Sequence, residues 1–231
     1  MFDNVRGLPV ALVFFDGHLK NHAMARPSRA HERRVELVSA ARAAILERGV
    51  IGLRLRDIAA QASMSTGSVL YYFPTLNELL YEVQREAVAR FCADREAAAA
   101  AEPDPRRRLI GMIRTGLPTG KGDELCYLLY ELGVYARTDA SYAAQHIQLY
   151  ERQVAIYTAV LAAGAATGVF DLTRDPTTIA RNLVALEDGL GLHLTHAVPT
   201  FTTAVAEKLL LSYAADATRC DLTEGEPDAR T

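Results

Sequence analysis

Between residues 53 and 80 the apolar residues keep a helical step, yet the chain interrupts it twice. Leu55, Ile58, Ala59 and Ala62 stand at i, i+3, i+4 and i+7, the stripe of a short amphipathic helix. Ser63-Met64 leaves length for nothing but a tight turn. Ser65 has the character of an N-cap, a second stripe of Val69, Tyr72 and Phe73 follows, and Pro74 stops it. Thr75-Leu76-Asn77-Glu78 has capping-box spacing and opens a long helix that runs to the alanine string 97–101. Two short helices joined by a tight turn and braced by a longer one make a helix-turn-helix. The second helix of such a unit enters the major groove with its N-terminal residues. Here those are Ser65, Thr66, Gly67 and Ser68. A glycine inside a helix costs about 1 kcal/mol against alanine. In return, small residues let a backbone come close, and hydroxyls can hydrogen-bond to what they meet. A plain helical hairpin with an incidental glycine satisfies the same spacing.

The remaining periodicity is helical as well. Upstream, Val35, Val38, Ala41 and Ile45 mark one face of a helix over 33–48, which Gly49 ends. Downstream, the pattern predicts helices over 105–117 and, after the loop PTGKGD, over 123–135 with a stripe of Leu125, Leu128, Leu129 and Leu132. A long helix follows over 140–167 with Ile147, Tyr150, Val154, Tyr157 and Leu161. Asp175-Pro176 begins the next, lined by Ile179, Leu183, Leu186 and Leu190, and Pro199-Thr200 opens a last one ending near Ala217. No useful β-alternation occurs, so the fold class is all-α. The expected division is an extension over 1–23, a helix-turn-helix domain over 24–77, a second helical domain over 78–217 and a disordered acidic tail over 218–231.

The net charge of −3 does not advertise a polyanion partner, but its distribution does. Residues 24–80 hold eight arginines against five acids, a net +3, while residues 81–231 carry −6. Three separated cysteines, Cys92, Cys126 and Cys220, argue against a disulfide framework and suit a reducing, cytoplasmic setting. No CxxC or clustered His/Cys set points to zinc, and neither metal nor cofactor is expected. The apolar run LPVALVFF at 8–15 is too short to span a membrane, which takes about 20 residues. MARPSRAHERR reads as a natural start at Met24, with residues 1–23 as an upstream extension rather than a secretion signal.

The stretch LRLRDIAAQASMSTGSVLYYFPTLNELL (53–80) resembles the TetR family of bacterial one-component regulators. The matching features are Ile58-Ala59, the Ser-x-Gly opening Ser65-Thr66-Gly67, the aromatic close Tyr72-Phe73 and the Leu79-Leu80 pair. RDPTTIARNLVALEDGLGLHL (174–194) is similar to a helix of the subgroup that includes the betaine-pathway repressors. The resemblance implies a DNA-binding homodimer, one recognition helix per subunit, and a C-terminal domain whose small-molecule effector releases double-stranded DNA. The DNA-contact set is then Arg33, Arg34, Arg54, Arg56, Ser65, Thr66, Gly67, Ser68, Tyr71 and Tyr72. Family members commonly have glycine where Ser63 stands, a phosphate-contacting Tyr at Leu70, Lys at Leu76 and a capping Thr at Arg54. Lost anchors weaken the salt-dependent backbone term, and the four arginines are placed to compensate. A helical adaptor that keeps the fold without reading DNA is the alternative.

Within the C-terminal half, Tyr127, Tyr130, His146, Tyr150, Tyr157, Asp188 and His193 are the candidate effector-binding residues. His193 and the tyrosines also suit plain packing. Leu186, Leu190, Leu209, Leu210 and Tyr213 are the candidates for a four-helix dimer interface. Catalysis is not expected. Glu187 and Asp188 are neighbours, which a helix turns about 100° apart, so they cannot face one another as acid and base. Gly-rich phosphate loops, a nucleophile elbow, HExxH and Glu-x-x-His pairs are all missing from the sequence.

Overall fold

The computed structural model describes residues 29–120 and 122–222, and all regular structure among them is helical. In chain order the helices are α1 (Arg29–Arg48), α2 (Leu55–Gln61), α3 (Thr66–Tyr72), α4 (Leu76–Ala101), α5 (Pro105–Gly116), α6 (Glu124–Gly133), α7 (Ala140–Ala166), α8 (Pro176–Thr195) and α9 (Thr203–Thr218). A single 3-10 turn, Val134–Arg137, follows α6.

Local chemistry sets the boundaries. The Ser65 hydroxyl accepts the Ser68 N–H at 3.1 Å to start α3, and Thr75 does the same for Glu78 at 3.1 Å to start α4. Asp104 and Asp175 cap α5 and α8, each followed by proline at the first helical position. The last helix starts later than its proline suggests. Pro199 lies in the turn, and Thr202 is the cap of α9.

The helices bury two cores. The first joins Leu37, Ile45, Ile58, Val69 and Phe73 of the helix-turn-helix to Leu79, Leu80 and Val83 of α4 and to Leu128 and Leu132 of α6. The second is built from α5, α7, α8 and α9 around Ile113, Leu161, Leu183 and Leu210. Packing therefore does not divide at residue 77. Half of α4 and two leucines of α6 belong to the N-terminal core.

Several sequence-based expectations need correction. Val35 is half exposed, because the buried face of α1 runs through Leu37, Val38, Ala41, Ala44 and Ile45 instead. Ile147 and Tyr150 face outward; the buried face of α7 runs through Tyr142 and Gln145 and resumes at Gln153 and Val154. The tail is ordered as far as Leu222. Thr218 donates its hydroxyl to the Ala214 carbonyl at 2.8 Å, and Leu222 is buried in the second core. Residues 1–28 and 223–231, which include the expected extension, the Met24 start and most of the acidic tail, lie outside the described residues.

Candidate nucleic-acid interface and effector cavity

α2 and α3 meet through Ala62, Ser63 and Met64. Ser63 takes a left-handed φ of 53° where glycine is at ease, so the tight turn is made at a non-glycine residue. The start of α2 is held from one side only. The Asp57 carboxylate accepts the Arg54 N–H at 2.9 Å, and an arginine side chain has no acceptor to return.

On α3, Thr66, Gly67 and Tyr71 are exposed and Ser68 is half-buried. A Cβ built on Gly67 would approach only the Ser65 hydroxyl, at 3.9 Å. No packing inside the protein asks for glycine there. The Ser65 and Ser68 hydroxyls lie 2.8 Å apart and are partly committed to each other. Tyr71 projects from the surface, its ring edge against Tyr72 with centroids 5.0 Å apart.

The arginines separate into two groups. Arg54 and Arg56 are exposed beside the start of α2. Arg33 pairs with Glu36 on its own helix. Arg34 is committed internally: it donates to the Tyr72 carbonyl at 2.6 Å, stacks 4.0 Å over the Phe73 ring and lies 3.6 Å from Glu82. Arg34 and the Tyr72 backbone therefore brace the unit, tying α1 to the end of α3. Leu70 is exposed and Leu76 half-buried.

A second concavity lies among α4, α5, α6, α7 and α8. It holds about 450 Å³ and is lined by Phe91, Cys126, Tyr130, His146, Gln153 and Asp188 among others. Of the seven residues expected to form an effector pocket, Tyr130, His146 and Asp188 meet here. Tyr150 lines a shallower groove of about 650 Å³ on the outer side of α7, which His146 also reaches. Tyr127 points away toward α1, and His193 rests on Phe201 with ring centroids 5.5 Å apart. Tyr157 is fully buried behind the cavity.

Behind the wall at Gly116 is a feature that sequence reasoning missed. Arg95 of α4 donates to Glu187 of α8 at 3.1 Å, both side chains almost wholly buried. The Tyr157 hydroxyl donates to the same carboxylate oxygen. A Cβ on Gly116 would fall 1.8 Å from Glu187 Oε1 and 2.2 Å from Arg95 Nη1, so only glycine leaves space for the pair. Burial opposes charge on Arg95, but the Glu187 charge, together with Tyr157 and the hydrogen bonds to both, outweighs it and keeps the guanidinium protonated. Arg95 Nε and Nη1 and Glu187 Oε2 have no partner among the described residues. The available signal was a charge inside each of two apolar stripes: Arg95 four residues after Phe91, and Glu187 four after Leu183.

In the cavity itself, burial pushes the Asp188 carboxyl above its ordinary range, against the pull of His146 and Arg95. Burial, followed by the charge of Asp188, raises the Tyr130 phenol. Tyr130 donates to the Asp188 carbonyl at 3.3 Å. Burial, with Asp123 nearby, pushes the Cys126 thiol up to about 12, which leaves it a packing group. The cavity thus offers the Asp188 carboxylate with the His146 imidazole near it, the Phe91 and Tyr130 rings and the Gln153 amide, in a mostly apolar surround.

The candidate dimer face is less uniform than its sequence. Leu186, Leu190 and Tyr213 are half-buried and Leu209 is half exposed, but Leu210 is wholly inside its own subunit's core and has no surface to offer a partner. The Tyr213 hydroxyl accepts from Asn182 at 2.7 Å, joining α8 to α9. Among the described residues no helix is long and apolar enough to cross a membrane, and no group of three or more potential metal-ligating side chains forms.

Comparison with known proteins agrees with both halves. Residues 37–83 match the family of bacterial regulatory proteins, tetR family, and residues 105–219 match the BetI-type transcriptional repressor, C-terminal, family. The HTH-type transcriptional regulator BetI of two Burkholderia ambifaria strains is 34% identical over 82 residues, 35% of this chain and 42% of theirs. The match therefore spans about two-fifths of those relatives' length. A transcriptional regulator from Saccharomonospora viridis, solved in complex with choline, superposes with a TM-score of 0.73 at 23% identity over 79% of this chain and 95% of that one. A TetR transcription regulator from Haloarcula marismortui gives 0.73 at 24% identity over 80% and 98%. At these identities the likeness to the solved structures is one of fold.

Proposed function

This chain belongs to the TetR family of transcriptional regulators, which are not enzymes, and on that premise we propose a homodimeric repressor that holds a palindromic operator and leaves it when a small molecule fills the cavity. The observation that carries the DNA reading is Gly67. It sits in the exposed first turn of α3, at a cost in helix stability, with open space above it. A phosphate backbone or base edge fits that space. Thr66, Ser68 and Tyr71 are then the groove contacts, with Arg54, Arg56 and Arg33 on the backbone. Arg34 acts through the fold rather than on DNA. Leu186, Leu190, Leu209 and Tyr213 supply the dimer face.

Two recognition helices fit successive grooves when their half-sites lie roughly 34–36 Å apart. An effector that changes this spacing must bind the DNA-free arrangement more tightly, and by linkage DNA weakens the effector equally. Asp188 beside the Phe91 and Tyr130 rings suits a compact organic cation, held by one carboxylate and by aromatic faces. The choline bound to the Saccharomonospora viridis regulator, which shares this fold, supports that choice.

The exposed Leu70, standing where the family resemblance puts a phosphate-contacting tyrosine, favours one rival: an adaptor that has lost DNA binding. Selection from random duplexes by the purified protein separates the two, with the winners titrated against salt. A palindrome whose affinity falls steeply with salt is the expected outcome. No enrichment, with a flat salt response, would leave the adaptor.

A further inference from the structure

α6 is a short helix with three occupied faces. Cys126, Leu129, Tyr130 and Gly133, stepping by three and four, line the cavity. Leu128 and Leu132 are buried in the core of the helix-turn-helix. Tyr127 and Glu131, one turn apart, reach the end of α1. At about 100° per residue these two are turned roughly a third of a circle from the cavity face.

The contact they make there is specific. Gly49 ends α1 in a left-handed conformation, φ 73°, and its N–H returns to the Ile45 carbonyl at 2.7 Å. This single bond closes an αL ending, which leaves the next N–H to find a partner outside the helix. The buried Val50 donates its N–H to Glu131 Oε2 at 3.1 Å. A Cβ on Gly49 would sit 3.7 Å from both that oxygen and the Tyr127 hydroxyl, so both side chains close over the glycine. Burial, followed by the charge of the neighbouring Glu131 carboxylate, raises the Tyr127 phenol. The end of α1 is thus satisfied by the helix that forms a wall of the cavity.

We propose that Glu131 is the positioning residue through which an occupant of the cavity acts on the DNA-binding unit, with Tyr127 packed beside its carboxylate over Gly49. The proposal rests on the reading that the cavity controls operator binding. A molecule that displaces α6 cannot leave α1 where it was while this hydrogen bond lasts. α1 in turn positions α3, since Arg34 binds the Tyr72 carbonyl. Removing the carboxylate leaves both sites intact and removes the polar link between α6 and the end of α1, while Leu128 and Leu132 stay packed in the core.

The test uses a built-in occupant, so it needs no knowledge of the effector. Leu149 lines the cavity from α7, and Leu149→Trp adds bulk there. Operator affinity is measured for the parent, Leu149→Trp, Glu131→Ala and the double variant, on the duplex recovered by selection. Leu149→Trp is expected to weaken binding about tenfold in the parent. With Glu131→Ala the same change costs less than about twofold, and Glu131→Gln, which keeps an acceptor, restores the tenfold effect. If Glu131→Ala melts below the assay temperature, Tyr127→Phe takes its place and is expected to reduce the effect to about threefold. An undiminished tenfold loss beside Glu131→Ala, or beside Tyr127→Phe, overturns the role of Glu131 and leaves the cavity reading standing. No effect of Leu149→Trp in the parent overturns the cavity reading and this inference with it.

Discussion

Gly67 and Gly116 are both helical glycines in a chain rich in alanine, and their surroundings are opposite. Above Gly67 the protein places almost nothing, while at Gly116 a buried ion pair occupies the space a side chain would need. On the reading proposed above, one glycine makes room for DNA outside the molecule, while the other makes room for the ion pair within it. On that reading the first belongs to the DNA-binding surface, so its cost is recovered only on binding. The second belongs to a polar core, where its cost is recovered on folding. Substitutions at the two places should therefore move different observables.

The largest effect is expected at the buried pair. Arg95→Met leaves the Glu187 carboxylate buried without its cation and should destabilise the fold by about 3–5 kcal/mol in denaturant unfolding. Arg95→Met with Glu187→Leu should recover most of that loss, because apolar groups of similar volume leave no uncompensated charge. If the double variant is no better than the single one, the pair is not a self-contained unit, and the contrast drawn between the two glycines fails on this side.

On the proposed reading the cavity lies between these extremes, since its charge is placed by folding but would meet an external molecule. Burial raises the folded-state pKa of Asp188. Its carboxylate charge is therefore present above that raised value and lost as pH falls through it. Binding of choline, used as the probe cation, should weaken on acidification before ordinary surface carboxylates titrate. Asp188→Asn should reduce affinity by about tenfold or more and flatten that pH dependence, measured by calorimetry. A pH response unchanged in Asp188→Asn would assign the titration to another group.

At Gly67 the two observables should move in opposite directions. Gly67→Ala should stabilise the isolated protein by up to about 1 kcal/mol, as alanine is the better helix former and meets no obstacle. The same change should weaken operator binding by about tenfold, by filling the space kept for DNA. A variant that is more stable and binds equally well would make this glycine incidental.

The same contrast explains what the sequence disclosed. Caps and stops are local, so Ser65, Thr75, Asp175 and Gly49 could be read from a few neighbouring residues, and α2, α3 and α4 fall where the spacing put them. The exposed first turn of α3 was legible for the same reason. Long-range pairings were not. Glu187 meets Arg95 across 92 positions, and Val50 meets Glu131 across 81. Periodicity could place Tyr157 on the inner stripe of α7, but not decide whether that stripe faced a cavity or a carboxylate. Leu210 likewise has the same local spacing whether its face meets the subunit's own core or a partner. The N-terminal core reaches beyond residue 77 because hydrophobic burial follows contact in space, and α6 returns to α1 from far along the chain.

The smallest expected effect lies in the turn before α3, where the fold meets a requirement with an ill-suited residue. Ser63 holds φ at 53°, a conformation that costs a residue bearing a Cβ about 1–2 kcal/mol. Glycine removes that cost but gives the unfolded chain more freedom, returning roughly 0.5–1 kcal/mol of it. Ser63→Gly should therefore stabilise the protein by about 0.5–1 kcal/mol, read as a small rise in the denaturation midpoint with unchanged slope. Ser63 is exposed and belongs to the turn rather than to the first turn of α3, so operator affinity should stay within about twofold of the parent. A large change in affinity would mean that the strained turn sets the pose of α3 in the groove. The line between residues that serve the fold and residues that serve DNA would then run through Ser63 rather than between it and Gly67.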